Sequence, residues 1–266
     1  ADNLINLSGG GERISPESFF DLKIVAENVS GQQFCLSQSA LWILDPEGQR
    51  LIKLDIETKK ATIAVGGEDL KNQRAVVVAD QNIYFFSQEG IKKPKQENQL
   101  ELIIKSEWQD PVAVANWGNN LYLLDRGQEN ILKYTPLPQG FSKPVSWLSQ
   151  PANLGWEKIV DMEINGNIWL LDNQGKIFKF AGGQQESFKN IDFQTDASLL
   201  TVSLDSPRLA FWDKKEKGIY VFNKTGQILA KIPLKLETIN DLALTNDGKR
   251  IFILTNDKIY QLGLEF

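Results

Sequence analysis

Four aspartates recur at the ends of similar short apolar segments, namely Asp45, Asp125, Asp172 and Asp213. Regularly spaced carboxylates are the kind of group that binds a metal ion or transfers protons. The surrounding sequence favours a structural role, because each Asp comes just before a turn, where its side chain can accept hydrogen bonds from backbone amides. In two equivalent segments the residue is Ser87 or Thr255, which keeps an oxygen but not the charge. We therefore expect these residues to cap turns.

The composition excludes most side-chain chemistry. The chain has no histidine and one cysteine, Cys35. Imidazole general bases, Ser–His and Cys–His pairs, His-ligated metals and internal disulfides are therefore excluded. We predict no catalytic residue, no cofactor and no bound metal, so the protein is not expected to be an enzyme. With 34 acidic residues, a pair of carboxylates brought together by the fold stays an open alternative.

The charge distribution gives no sign of a nucleic-acid partner. The net charge is −5, whereas proteins that bind nucleic acids usually present a basic face. The two basic clusters, at 91–95 and 214–217, lie in expected turns. No stretch approaches the roughly 20 apolar residues needed to span a bilayer. Since the chain opens without Met, we expect a processed or excised soluble portion of a protein. Any attachment to a membrane is expected only through a segment outside this sequence. We also expect a monomer.

A repeat of about 42 residues organises the chain. The segments ending at Asp45, Ser87, Asp125, Asp172, Asp213 and Thr255 are separated by 42, 38, 47, 41 and 42 residues. A short apolar strand precedes each segment, and a turn and another apolar run follow it. A weaker fourth run closes most units. Six units of four short strands are the sequence signature of a β-propeller.

The predicted fold class is all-β, a six-bladed β-propeller of four-stranded antiparallel blades. Segments such as NIWLLD are apolar at consecutive positions, which is typical of strands buried on both faces. The last unit has only three strands, and the segment FFDLKIVAE at 19–27 is expected to close it, which removes an open sheet edge. Residues 1–18 are a linker or lead-in, and 19–266 form a single β-propeller domain. The blades are expected at about 32–66, 73–106, 110–150, 158–190, 197–233 and 238–263 plus strand 19–27.

Candidate binding residues lie outside the repeated positions. The segment Thr135 to Lys158 carries four Pro and two Trp, the composition of a stiff contact loop. Such loops could instead cover a blade edge. Polar residues after the second strands or between blades add to the set. The residues expected to bind a ligand or partner are Arg74, Trp108, Asp110, Arg126, Trp147, Trp156, Glu157 and Lys158.

The segment INGNIWLLDNQGKIFKF resembles the repeats of NHL and YncE-like six-bladed propellers. More closely, several units look like the propellers of bacterial membrane proteins whose cytosolic part resembles a PP2C-type phosphatase. That resemblance implies an outward-facing, C-terminal sensor part. Enzymatic propellers of the streptogramin-lyase kind are expected to use His, which this chain lacks. Lactonase-like propellers hold a divalent ion with Glu, Asn and Asp, and no matching motif surrounds these residues here.

Taken together, the sequence predicts a non-catalytic recognition, sensor or scaffold module that binds a protein or small ligand on one propeller face. The expected location is extracytoplasmic, in the periplasm or at the cell surface of a bacterium. Two alternatives stay open: a metal-dependent, lactonase-like hydrolase, and an intracellular interaction scaffold.

Overall fold

The computed structural model describes residues 12–79, 81–96 and 98–265. Within this part of the chain, strands form six four-stranded antiparallel sheets and one two-stranded hairpin. No helix in it is long and apolar enough to cross a membrane. The fold is a six-bladed β-propeller, which confirms the fold class predicted from the repeat.

The strands follow the predicted units in chain order. Blade 1 contains β2 (Gln33–Ser37), β3 (Ala40–Asp45), β4 (Arg50–Asp55) and β5 (Ala61–Gly66). Blade 2 contains β6 (Ala75–Ala79), β7 (Asn82–Ser87), β8 (Gly90–Pro94) and β9 (Leu100–Lys105). Blade 3 contains β10 (Pro111–Trp117), β11 (Asn120–Asp125), β12 (Asn130–Tyr134) and β15 (Val145–Ser146), with the hairpin β13 (Pro136–Leu137) and β14 (Gly140–Phe141) inserted before its last strand.

The second half of the chain repeats this arrangement. Blade 4 contains β16 (Ile159–Ile164), β17 (Ile168–Asp172), β18 (Ile177–Ala181) and β19 (Gln184–Glu186). Blade 5 contains β20 (Ala197–Val202), β21 (Arg208–Asp213), β22 (Gly218–Asn223) and β23 (Ile228–Pro233). Blade 6 contains β24 (Asp241–Leu244), β25 (Arg250–Leu254), β26 (Lys258–Gly263) and the N-terminal strand β1 (Glu17–Asp21). Three short 3-10 turns complete the elements, at Leu22–Ile24, Glu68–Leu70 and Trp156–Lys158.

The N-terminal strand closes blade 6, but over a shorter range than the sequence predicted. The sheet order is β1-β26-β25-β24, so β1 supplies the outer strand. The strand ends at Asp21 rather than continuing to residue 27, because the Asp21 carboxylate accepts a hydrogen bond from the Lys23 amide at 2.9 Å and starts the 3-10 turn. The turn is held in place by the Leu22 amide, which donates to the carbonyl of Asp257 at 2.8 Å.

The predicted lead-in falls partly outside the described residues, which begin at residue 12. Its described part contacts the end of β23. Ile14 forms a parallel bridge with Leu234, in which its amide donates to Pro233 and its carbonyl accepts from Lys235. The last residues before β1 are therefore tied to blade 5 by backbone hydrogen bonds.

Contacts divide the fold into two compact units, and the prediction of a single domain stays a prediction. The N-terminal unit consists mainly of Ser18–Trp147 and also takes in Leu254–Ile259. The C-terminal unit consists mainly of Leu148–Ile253 and takes in residues near both chain ends.

Blade packing inside the C-terminal unit shows why the strands are apolar at consecutive positions. On β21, Leu209 and Phe211 pack in a cluster with residues of blade 4. Their neighbours Ala210 and Trp212 pack in a second cluster with residues of blade 6. Successive side chains of a strand lie on opposite faces of its sheet, so a strand between two blades is buried on both faces. The N-terminal unit is built in the same way, with one cluster joining blades 1 and 2 and another joining blades 2 and 3.

Candidate functional site

The four repeated aspartates are buried turn caps, as the sequence predicted. Asp125 is fully buried. Its carboxylate accepts hydrogen bonds from the amides of Gln109, Asp110, Gly127 and Gln128 at 2.9–3.3 Å, and from the Gln128 side chain at 2.8 Å. Backbone donors around a buried carboxylate stabilise its charge and hold two chain segments together. Asp125 therefore fixes the turn after β11 to the segment that enters blade 3.

The equivalent residues act in the same way. Asp45 accepts from the Gly48 amide, and Asp172 accepts from the amides of Gln174 and Lys176. Asp213 accepts from the amides of Asp196, Lys215 and Glu216. Where the repeat has Ser87 or Thr255, the hydroxyl donates to the carbonyl of Gly90 or Lys258 instead. Each repeated side chain thus forms at least one hydrogen bond in its own turn, and Asp45 also forms an ion pair with Arg50 at 3.0 Å, which supports a structural role for the repeated carboxylates.

Four of the predicted binding residues follow one another along blades 2 and 3, in the N-terminal unit. We call Arg74, Trp108, Asp110 and Arg126 the blade 2–3 rim. The Arg74 amide donates to the Phe86 carbonyl at 2.7 Å, and the Phe86 ring contacts the Trp108 ring at 5.6 Å between centroids. Two residues after Trp108, Asp110 forms an ion pair with Arg126 at 2.9 Å. The rim combines two exposed charged residues, Arg74 and Asp110, and the half-buried Arg126 with an aromatic ring.

Trp108 is part of the packing as well as of the rim. Its indole N–H donates to the Tyr134 hydroxyl at 2.7 Å. Burial raises the pKa of the Tyr134 hydroxyl, and the hydrogen bond from Trp108 opposes that shift. One part of the indole therefore contacts blade 3 and another part stays accessible. An indole fixed in this way loses little freedom when a partner covers it.

The aromatic side chains of the Pro-rich segment before blade 4 pack on the propeller itself, although most residues of the segment are exposed. Phe141, in the β13–β14 hairpin, makes an edge-to-face contact with Tyr84 of blade 2 at 5.6 Å. Trp147 makes a similar contact with Tyr122 at 6.4 Å. This hairpin contacts β9, the outer strand of blade 2. The hairpin therefore covers a blade edge, which was the alternative interpretation of this segment.

The structure places the other predicted residues, Trp156, Glu157 and Lys158, in a 3-10 turn at the start of blade 4, in the C-terminal unit. The Trp156 side chain is only 4% exposed, and its indole N–H donates to the Ala152 carbonyl at 2.9 Å. Glu157 and Lys158 are exposed, and the Lys158 ammonium lies 3.4 Å from the Gln174 side-chain oxygen. Binding by these residues stays a prediction, and the burial of Trp156 gives it a packing role in this turn.

An acidic cluster in the C-terminal unit was not anticipated from the sequence. Asp161 and Glu163 lie on β16, the first strand of blade 4, and Asp241 lies on β24, the first strand of blade 6. Their side chains keep some contact with solvent but are surrounded by protein. Burial raises the pKa of Asp161 to about 6, against the hydrogen bonds that its carboxylate accepts from Leu200 and Met162. Burial, and then the neighbouring charges of Asp161 and Asp241, raise the pKa of Glu163 well above its ordinary value.

This cluster has the electrostatics of a functional site without a complete set of ligands. Carboxyl groups with raised pKa values are candidates for proton transfer near neutral pH. Within residues 12–79, 81–96 and 98–265, no three His, Cys, Asp or Glu side chains are grouped so that they could hold a metal ion. The signal in the sequence was the pair of acidic residues inside the apolar strand VDMEI, although Asp241 could not be associated with them without the fold.

Comparison with known proteins establishes the fold. No protein-family model and no curated sequence matches the chain. Among solved structures, the WD40 repeats of RRP9 match with a TM-score of 0.67 at 10% identity, covering 96% of this chain and 100% of the other. A streptogramin B lyase matches with a TM-score of 0.64 at 14% identity, covering 94% and 97%. A gluconolactonase from Xanthomonas campestris matches with a TM-score of 0.60 at 14% identity, covering 94% and 95%.

The three proteins differ in kind, one being a repeat domain and two being enzymes. At 10–14% identity the likeness extends to the arrangement of the strands and not to an activity. The chain is a six-bladed β-propeller whose similarity to these proteins is one of fold alone.

Proposed function

We propose that this propeller is a non-catalytic recognition module that binds a protein or small ligand through the blade 2–3 rim. The observation that carries the proposal is the use of the repeated carboxylates: all four are buried and hydrogen-bonded inside turns. The repeat therefore builds a rigid scaffold. Binding is left to the residues between its turns, as is common for loops on rigid folds.

The rim has the composition of a contact surface. Arg and Trp are enriched among residues that dominate binding energies, and here Arg74, Trp108 and Arg126 lie along neighbouring blades. Arg74 is exposed, and its guanidinium lies beside the Gln88 side-chain amide. Asp110 partly neutralises Arg126 at 2.9 Å. A ligand or partner with carboxylate groups and an apolar face suits this combination.

Capture by the immobilised domain tests the rim. The double variant Arg74→Ala/Arg126→Ala should lose partners that the wild-type domain retains from an extract of the source organism. The matched control is Lys215→Ala/Lys249→Ala, which removes the same charge from exposed positions of the C-terminal unit. Equal loss in both variants would indicate a nonspecific effect of charge, and no loss in either would remove the rim from the proposal.

We also propose that the propeller is the extracytoplasmic sensor or scaffold part of a bacterial envelope protein. The support is the resemblance of repeats such as NGNIWLLDNQGKIFKF to outward-facing propellers. Protease added to spheroplasts, whose outer envelope is opened and whose inner membrane is intact, should cleave the propeller of the natural full-length protein. Protection of the propeller until the cells are lysed would favour the intracellular scaffold.

A lactonase-like hydrolase is the second candidate. Its support is the raised pKa values of Asp161 and Glu163, since no three acidic side chains in the described part of the chain are grouped as metal ligands. Asp161, Glu163 and Asp241 share one region of the C-terminal unit, and the pKa of Asp161 is raised to about 6. A metal ion bound there would stabilise the fold by mass action. Thermal unfolding should be measured with Ca²⁺, Zn²⁺ and Mn²⁺ on the wild type and on Glu163→Gln. A rise of several degrees confined to the wild type would establish the metal site, and equal curves would leave the recognition role.

A further inference from the structure

Side chains on the first strands of three blades hold the first strand of the next blade. In the N-terminal unit, the Gln33 side-chain oxygen accepts a hydrogen bond from the Val76 amide at 2.8 Å. In the C-terminal unit, an Asp161 carboxylate oxygen accepts from the Leu200 amide at 2.7 Å. The Thr201 hydroxyl accepts from the Leu244 amide at 2.8 Å. We call these hydrogen bonds the blade clamps.

The three clamps are equivalent in position but not in chemistry. Each joins residues on the first strands of successive blades, with sequence separations of 43, 39 and 43 residues. Gln33 and Thr201 are neutral at every ordinary pH, whereas Asp161 is ionisable. The second Asp161 oxygen accepts from the Met162 amide at 2.8 Å. The clamp between blades 4 and 5 is therefore the one of the three that can gain or lose a charge.

The strands around Asp161 supply no positive charge. β16, β17, β20 and β24 contain no Lys or Arg. Glu163 is the other titratable group of β16, and β20 has none. Asp172, on β17, is bound to turn amides, and Asp241, on β24, raises the pKa of Glu163. An ionised Asp161 is thus stabilised by backbone amides, with no positive charge on these strands to offset its burial.

The clamp acts on a strained part of β20. Leu199, next to the clamped residue, has φ of 57° and lies where the register shifts between Ser198 and Leu200. A left-handed conformation is unfavourable for a residue with a Cβ and persists where its surroundings enforce it. The closed joint, which includes the hydrogen bond from the Leu200 amide to Asp161, is one such restraint, so opening of the joint should release this bulge first.

We infer that the joint between blades 4 and 5 is a proton-sensitive element, closed more firmly when Asp161 is protonated and opening more often when Asp161 is ionised. The joints made by Gln33 and Thr201 lack this sensitivity. The inference does not depend on the proposed recognition role, because it concerns a region on the C-terminal unit that is separate in sequence from the blade 2–3 rim.

The direction follows from the electrostatics of Asp161. Burial raises its pKa from 3.8 to about 6 in the folded protein, because the closed joint desolvates the charge. A group whose folded pKa is raised stabilises the closed state fully below 3.8, and that contribution is lost as the pH rises through about 6. Ionisation therefore favours the open joint, in which the carboxylate is more fully hydrated.

Amide hydrogen exchange measured by NMR on the wild-type chain tests this inference. The protection factor of the Leu200 amide, which is the ratio of intrinsic to observed exchange rate, should fall between pH 5 and pH 7.5. The fall can reach about tenfold over this range if opening exposes Asp161 fully, because part of the effect of the shift from 3.8 to about 6 is already present at pH 5. The protection factors of Val76 and Leu244 serve as internal controls and should stay constant within about twofold. Constant protection of Leu200, or an equal fall at all three amides, would overturn the inference.

The variant Asp161→Asn separates this residue from the other acidic groups. The variant keeps one acceptor oxygen but cannot ionise, so the protection of Leu200 should no longer depend on pH. Thr201→Ser is the matched variant, since it retains the neutral clamp and should leave the pH dependence of Leu200 as in the wild type. A pH dependence that persists in Asp161→Asn would assign the effect to Glu163 or Asp241 and refute the role of Asp161.

Discussion

Replacing Asp125 by Ala should destabilise the protein severely, since this residue organises the entry to blade 3. The carboxylate is fully buried and accepts five hydrogen bonds, four from backbone amides and one from the Gln128 side chain. A hydrogen bond to a charged group contributes about 1.5–3 kcal/mol. The sum overstates the loss, because amides at the exposed turn can bind water and the variant no longer buries a charge. We expect a loss of about 3–5 kcal/mol in the free energy of unfolding.

Urea unfolding monitored by tryptophan fluorescence at pH 7.5 measures this loss. The matched variant is Asp110→Ala, which removes an exposed carboxylate paired with Arg126 and should change the free energy of unfolding by less than about 1 kcal/mol. Asp125→Ser, the residue found at the equivalent Ser87, should lie between the two. Asp125→Ala within about 1 kcal/mol of wild type would refute the assignment of the repeated aspartates to turns.

Three further predictions concern the acidic cluster, the buried indole and a tight turn. Glu163→Gln should raise the melting temperature at pH 7.5, because ionisation of a carboxyl group with a raised pKa destabilises the fold. The gain should become smaller toward pH 4.5, where Glu163 is protonated in the wild type. Differential scanning fluorimetry across this pH range measures the gain, and an equal gain at every pH would contradict the role of the charge. Trp156→Ala should lower the free energy of unfolding, measured by chemical denaturation, by about 3–5 kcal/mol. The control is Trp117→Ala, which should lower it by less than about 1 kcal/mol because Trp117 is 42% exposed. Similar losses in the two variants would contradict the burial of Trp156. Gly226→Ala should lower the melting temperature by several degrees, since Gly226 has φ of 93° and its new Cβ would clash with the Lys189 backbone; an unchanged melting curve would contradict that close approach.

The repeat could be predicted from the sequence because each blade is formed by strands that are close together in the chain. Its strands are consecutive in the chain, and their apolar residues signal burial on both faces before any long-range contact is known. The capping role of Asp125 and its equivalents was readable for the same reason, since a turn cap acts on amides nearby in sequence. The fourth strand of blade 4, Gln184–Glu186, carried no such signal: all three of its side chains are exposed, and backbone pairing with β18 alone defines it.

The sequence by itself determined six blades, their order and the N-terminal strand that completes the last one. Only the tertiary structure placed Asp241 in an electrostatic cluster with Asp161 and Glu163. Asp241 is about 80 positions away from the other two residues in the sequence, and only the packing of successive blades brings it near them. It also showed that Phe141 and Trp156 pack against the protein's own residues. The sequence could not show this, because an aromatic residue in a loop gives the same pattern whether it contacts a partner or its own fold. The strand pattern follows from local preferences and burial, whereas the partners and charges of individual side chains are fixed by contacts between residues far apart in the chain.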